Sequence, residues 1–122
     1  MCNNDDSLLI NVLKILPEEI DCYIQAPSLE NESILNMMSE TEWDYYKLIK
    51  INNLNKESFC NSLNDSTITQ YFQNIELKNS NKMLFQGFDG VEIGIISKYI
   101  KIPIWFRDKY IISGDCTISI DW

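Results

Sequence analysis

Residues 75–96 read IELKNSNKMLFQGFDGVEIGII. Two β-prone runs, 75–78 and 83–88, flank the polar turn Asn79-Ser80-Asn81, and Asp89-Gly90 follows as a second turn signal. Val91, Ile93 and Ile95 then alternate with Glu92, Gly94 and Ile96. This reads as a hairpin continued by a third strand, the nucleus of an antiparallel sheet. Upstream, Trp43, Tyr45, Lys47, Ile49 and Ile51 alternate with Asp44, Tyr46, Leu48 and Lys50, which predicts another strand. Downstream, Cys116, Ile118, Ile120 and Trp122 alternate with Thr117, Ser119 and Asp121. That pattern predicts a final strand with Ile118, Ile120 and Trp122 packed into the core, since a slip of one residue would bury the polar set.

Helical signals surround these strands. Ser7 or Asp6 can cap a helix whose apolar positions are Leu8, Leu9, Val12, Leu13 and Leu16. Pro17 with Glu18 and Glu19 suits the first turn of a second helix, its buried stripe formed by Ile20, Tyr23 and Ile24. A short helix is expected within 28–39, and Asn55 can cap another that runs to Leu63 with Phe59 inward. Residues 67–72 fit helix or strand. Pro103 opens a late helix containing Trp105, Phe106 and Tyr110. The expectation is an α+β fold: N-terminal helices followed by a mainly antiparallel sheet with a late helix, in one domain spanning 1–122.

Of the 122 residues, 45% are hydrophobic, enough for a core without staples. Residues 1–6 carry Asp5 and Asp6 and no base, the wrong sign for an export signal. The apolar run 8–16 is interrupted by Asn11 and Lys14 and is too short to span a bilayer. Cys2, Cys22, Cys60 and Cys116 lie far apart. A cytoplasmic protein with free thiols is therefore expected.

Charge is distributed unevenly. Residues 1–44 hold ten acids and one base, Lys14, a net of −9, and residues 45–122 hold eight acids and nine bases, a net of +1, which together give −8. Nucleic acids and anionic membranes each need a basic face, so neither is expected as a partner. An acidic surface serves solubility, or steers a basic protein partner.

The chain has no histidine, which excludes Ser-His-Asp and Cys-His catalysis and histidine metal sites. No cysteine pair has zinc-ligand spacing, and Gly87, Gly90, Gly94 and Gly114 form no phosphate-cradling loop. The carboxylate pairs Glu18/Glu19, Glu30/Glu32, Glu40/Glu42 and Asp89/Glu92 remain, but a catalytic acid needs an apolar pocket that nothing in the sequence marks. Glu40-x-Glu42-x-Asp44 lacks the central glycine of a calcium loop. No enzyme activity and no cofactor or metal is expected. The run Trp43-Asp44-Tyr45-Tyr46 cannot turn wholly inward on a strand, so at least one ring should stand on the surface beside acids, as at protein-binding sites.

A short, acidic, histidine-free α+β chain containing Leu84-Phe85-Gln86-Gly87-Phe88-Asp89-Gly90 and ending Asp115-Cys116-Thr117-Ile118-Ser119-Ile120-Asp121-Trp122 resembles the immunity proteins of bacterial toxin systems, including the partners of contact-dependent growth-inhibition toxins. The resemblance implies a cytoplasmic protein that neutralises one cognate toxin domain, commonly a nuclease. Toxin-binding candidates are Glu18, Glu19, Asp21, Glu30, Glu32, Glu40, Glu42 and Asp44, with Trp43 or Tyr46 as an anchor. A phage-type inhibitor of a host defence nuclease, a non-inhibitory binding subunit and a small carboxylate hydrolase are the other readings.

Overall fold

The computed structural model describes residues 7–43, 45–63 and 66–122. Its central hairpin joins β4 (Asn74–Asn79) to β5 (Lys82–Phe88). The two connecting residues, Ser80 and Asn81, both sit in the left-handed region at φ 50° and 65°. That is the mirror-image two-residue turn whose twist matches the flanking strands. The register slips between Leu77 and Lys78, so that Leu77 faces Phe85 and Lys78 faces Met83. Leu84 is the extra residue of this bulge, which lets Leu84 and Phe85 both be buried.

The strands β1 (Ile20–Gln25), β2 (Ser39–Glu40), β3 (Lys47–Ile51), β6 (Ile93–Ile96) and β7 (Cys116–Ile118) complete a seven-stranded sheet in the order β2-β3-β1-β4-β5-β6-β7. Every neighbouring pair is antiparallel except β6–β7, which is parallel. A parallel pair needs a crossover. Here it contains α5 (Ile104–Phe106), opened by Pro103 as its N-cap, and a π-helical turn over Arg107–Ile111.

One face of the sheet carries Ile20, Cys22, Ile24, Ile49, Ile51, Ile75, Leu77, Phe85, Ile96 and Cys116, all buried. They form one core with residues of α1 (Leu8–Ile15), α3 (Lys56–Ser62) and the crossover, among them Leu9, Leu13, Phe59 and Phe106. Ser7 caps α1, its Oγ accepting from the Ile10 amide. Asn11, buried on α1, donates to the Tyr110 hydroxyl at 2.5 Å and ties α1 to the π turn. Two short helices, α2 (Glu32–Leu35) and α4 (Ser66–Thr69), fill the connections. A Cβ on Gly94 would lie 2.4 Å from Phe85 Cζ, so the Phe85 ring occupies the space that only glycine leaves open.

The class is α+β, mainly antiparallel, with a late helix. Several local readings change. Ile20, Tyr23 and Ile24 do not form a helical stripe, because residues 20–25 are the strand β1 with alternating burial. Positions 20 and 24 satisfy either period, and pairing with β3 on one side and β4 on the other selects the strand. The upstream strand begins at Lys47, leaving Trp43, Tyr45 and Tyr46 in a turn. In β6, Gly94 and Ile96 are buried, and Ile93 is exposed. The end of the chain departs most. Cys116 is buried, but Ile118 is 36% and Ile120 87% exposed. The Ser119 amide donates to Ile96 O at 2.8 Å, and the Ser119 hydroxyl accepts from the Asp121 and Trp122 amides. That turn ends the strand and releases Ile120 from any core face.

Candidate functional site

The β2–β3 connection gathers the aromatic run. The Thr41 hydroxyl accepts from the Trp43 amide and lies 2.8 Å from Tyr46 O and 2.9 Å from Trp43 O, with which its proton is shared, and the Tyr46 amide donates to Trp43 O. This tight turn lays the Trp43 ring across the sheet face opposite the core. Its centroid lies 5.3 Å from that of Tyr23 on β1 and 6.1 Å from that of Tyr46. Lys78 of β4 reaches the same spot, its Nζ 5.1 Å from the Trp43 ring and 5.2 Å from the Tyr23 ring. Glu76, cross-strand from Tyr23, pairs with Lys78 at 3.5 Å. Burial, then the Glu76 charge, pushes the Tyr46 phenol above its usual range. The triad is ordered by stacking and cation–π contact, yet Trp43 remains 44% and Tyr45 77% exposed.

Beside the same hairpin lies a half-open groove of about 490 Å³. Ala26, Pro27, Leu29, Leu35 and Met38 supply its apolar lining, and Gln25 and Tyr45 border it. Glu40 and Lys47, cross-strand partners on β2 and β3, form an ion pair at its rim.

The structure divides the acids expected to bind a partner. Glu30, Glu32, Glu40 and Glu42 all lie in the 26–47 segment that builds the groove and the turn, together with Trp43 and Tyr46, and all four carboxylates are exposed. Asp44 lies outside the described residues. Glu18 and Glu19 precede β1 at its other end. The six residues of β1 set Glu19 roughly 20 Å from the Gln25 border of the groove, more than twice the screening length of about 8 Å at physiological salt. Asp21 has Lys50 and Lys78 as its cross-strand neighbours, the second of which is paired with Glu76. Of the candidates, Glu30, Glu32, Glu40, Glu42, Trp43 and Tyr46 share the 26–47 segment, Glu18 and Glu19 precede β1 at its other end, and Asp21 lies on β1 on the same face as Tyr23.

Tyr23, Lys78, Glu76, Leu29, Leu35, Met38 and Tyr45 join the site unannounced by charge. Tyr23 becomes visible once 20–25 is read as a strand, because it then points away from Cys22 and Ile24. Lys78 and Glu76 are distant in sequence and arrive through the β1–β4 register. Among the described residues no group of histidine, cysteine or carboxylate side chains could hold a metal ion, and no helix is long and apolar enough to cross a membrane. What the arrangement offers chemically is contact: exposed carboxylates, ordered rings and an apolar recess. No family model, no curated protein and no solved structure matches the chain.

Proposed function

We propose that the protein is a cognate immunity protein that binds a bacterial toxin domain, a basic nuclease, and occludes its active site with the acidic, aromatic end of the sheet. One observation supports this above the others. Residues 26–47 carry five acids and one base, Lys47, which is paired to Glu40, and exposed aromatic rings stand among them. A nuclease site attracts phosphate and is therefore positive. An acidic surface can reach it quickly by long-range steering, and ordered rings then supply desolvated anchoring area. The protein acts in the cytoplasm by binding, with no cofactor and no chemistry of its own.

The test is binding and nuclease inhibition with the toxin domain encoded beside its gene. Reversing Glu40, Glu42 and Asp44 together to lysine should slow association by about tenfold or more at low salt and much less at high salt, the behaviour of rim charges. Association at the wild-type rate in low salt would remove these acids as the steering face, and a neighbouring toxin left fully active would remove the immunity reading itself.

A further inference from the structure

We infer that Lys78 is a positioning residue: its ammonium, acting inside the protein rather than on a partner, fixes the orientation in which the Trp43 ring is presented. What this means for a toxin rests on the reading above; what it means for the ring does not. In the sheet order β2-β3-β1-β4, Trp43 belongs to the β2–β3 connection and Lys78 to β4, so β1 lies between them. The Lys78 side chain crosses that strand. Its Nζ stops 5.2 Å from the centre of the Tyr23 ring on β1, 5.1 Å from that of Trp43 and 3.5 Å from Glu76 Oε1. The two rings are tilted by 55° with centroids 5.3 Å apart, so they make a wedge with the cation against both.

Desolvation decides how firmly this holds. The Lys78 and Glu76 side chains are 19% and 23% exposed, whereas those of Lys47 and Glu40 are 39% and 84% exposed. An ion pair or a cation–π contact strengthens as water is removed from it, so Lys78 is the better fixed of the two bases. Trp43 itself keeps nearly half of its surface in solvent, and its remaining ring neighbour, Tyr46, meets it edge-on at 6.1 Å. A ring held in one orientation before contact loses less freedom on binding, which lengthens the life of a complex. A base on a surface that attracts a basic partner also works against steering. The two roles of Lys78 therefore have opposite signs, and kinetics can separate them.

The test uses the full chain with Lys78→Met, which keeps the stem and removes the charge, and Lys78→Arg, which keeps a charge that stacks on rings and pairs with a carboxylate. In the nitrogen-15 NMR spectrum the Trp43 indole N–H, assigned by Trp43→Phe, should move in Lys78→Met and lose order on the nanosecond scale, while Lys78→Arg keeps it ordered. With the toxin domain, Lys78→Met should associate at least as fast as the wild type at low salt and dissociate about fivefold faster or more, the loss that a desolvated cation–π contact implies. Lys78→Arg should restore slow dissociation. A Trp43 signal unmoved and equally ordered in Lys78→Met, unchanged dissociation of that variant, or an arginine variant as disordered as the methionine one would each overturn the inference. A wild-type protein that binds no toxin sinks the immunity reading alone, because the indole signal still decides whether Lys78 holds the ring.

Discussion

Along β1, Ile20, Cys22 and Ile24 are at most 2% exposed, whereas Asp21, Tyr23 and Gln25, each one residue away, are only half-buried. β4 repeats the contrast, with Ile75 and Leu77 buried and Glu76 and Lys78 half-buried. The two faces of the sheet are made by the same hydrogen bonds but held by different forces. The core face is fixed by apolar burial and close packing. The opposite face is placed by register alone, and its side chains are organised by stacking, cation–π contact and ion pairing. Stability should therefore be concentrated on one face, and recognition can be altered on the other at small cost to the fold.

The sharpest way to break this contrast is at Phe85, fully buried on the core face. Phe85→Ala should lower unfolding free energy by about 3–5 kcal/mol in a denaturant titration. Gly94→Ala pushes a Cβ to within 2.4 Å of that ring and should cost about 1–3 kcal/mol. Combining Gly94→Ala with Phe85→Leu should cost less than the sum of the two single changes, and strict additivity would show that the ring is not what glycine accommodates.

A third expectation concerns pH. Burial pushes the thiols of Cys22 and Cys116 up, that of Cys116 to about 12, so both stay protonated in the fold where an unfolded thiol would ionise. Their contribution is fully present below the ordinary thiol value of about 8.5 and is lost as pH rises above it. The denaturation midpoint should fall between pH 8.5 and 10.5, and less steeply in Cys22→Ala. An unchanged slope in that variant would mean that Cys22 is accessible to solvent.

On the opposite face the effects should be small for the fold and large for binding. Trp43→Ala removes two aromatic contacts and should change stability by about 1 kcal/mol, yet if Trp43 anchors the proposed complex the change should weaken binding by about 2 kcal/mol or more. The reverse ranking would move the anchor elsewhere. Smallest of all, Ile120→Ser should leave stability within about 0.5 kcal/mol, since that side chain is 87% exposed.

Much of the fold is legible in the sequence where local chemistry decides the outcome. Turn residues marked the β4–β5 hairpin, Ser7 and Asn55 marked helix starts, and Pro103 marked the crossover helix. What failed depended on partners distant in sequence. Ile20 and Ile24 fit two periods, and only the neighbouring strands choose between them. The alternation from 116 to 122 looked decisive, but the Ser119 turn stops β7 after Ile118. Counting acids by sequence position could not show that Lys50 and Lys78 come to stand beside Asp21 from other strands. The groove could not be read at all, since Leu29, Leu35 and Met38 look like ordinary core residues until the hairpin beside them is placed.

The two residues that close the β4–β5 hairpin also bear on time. A hairpin closed this tightly forms in about 1–10 μs, long before a parallel pair can close its crossover through the π turn. The hairpin is thus the most local pairing in the sheet, with β1 beside β4 on one side and β6 beside β5 on the other. Glu76 and Lys78 ride on that early hairpin, and Tyr23 and Trp43 can assemble around them only when β1 docks alongside. The acids of residues 26–47 leave the ribosome first, yet their scaffold comes from residues made later. The aromatic cluster is thus complete only when the β4–β5 hairpin, β1 and the β2–β3 connection have all come together.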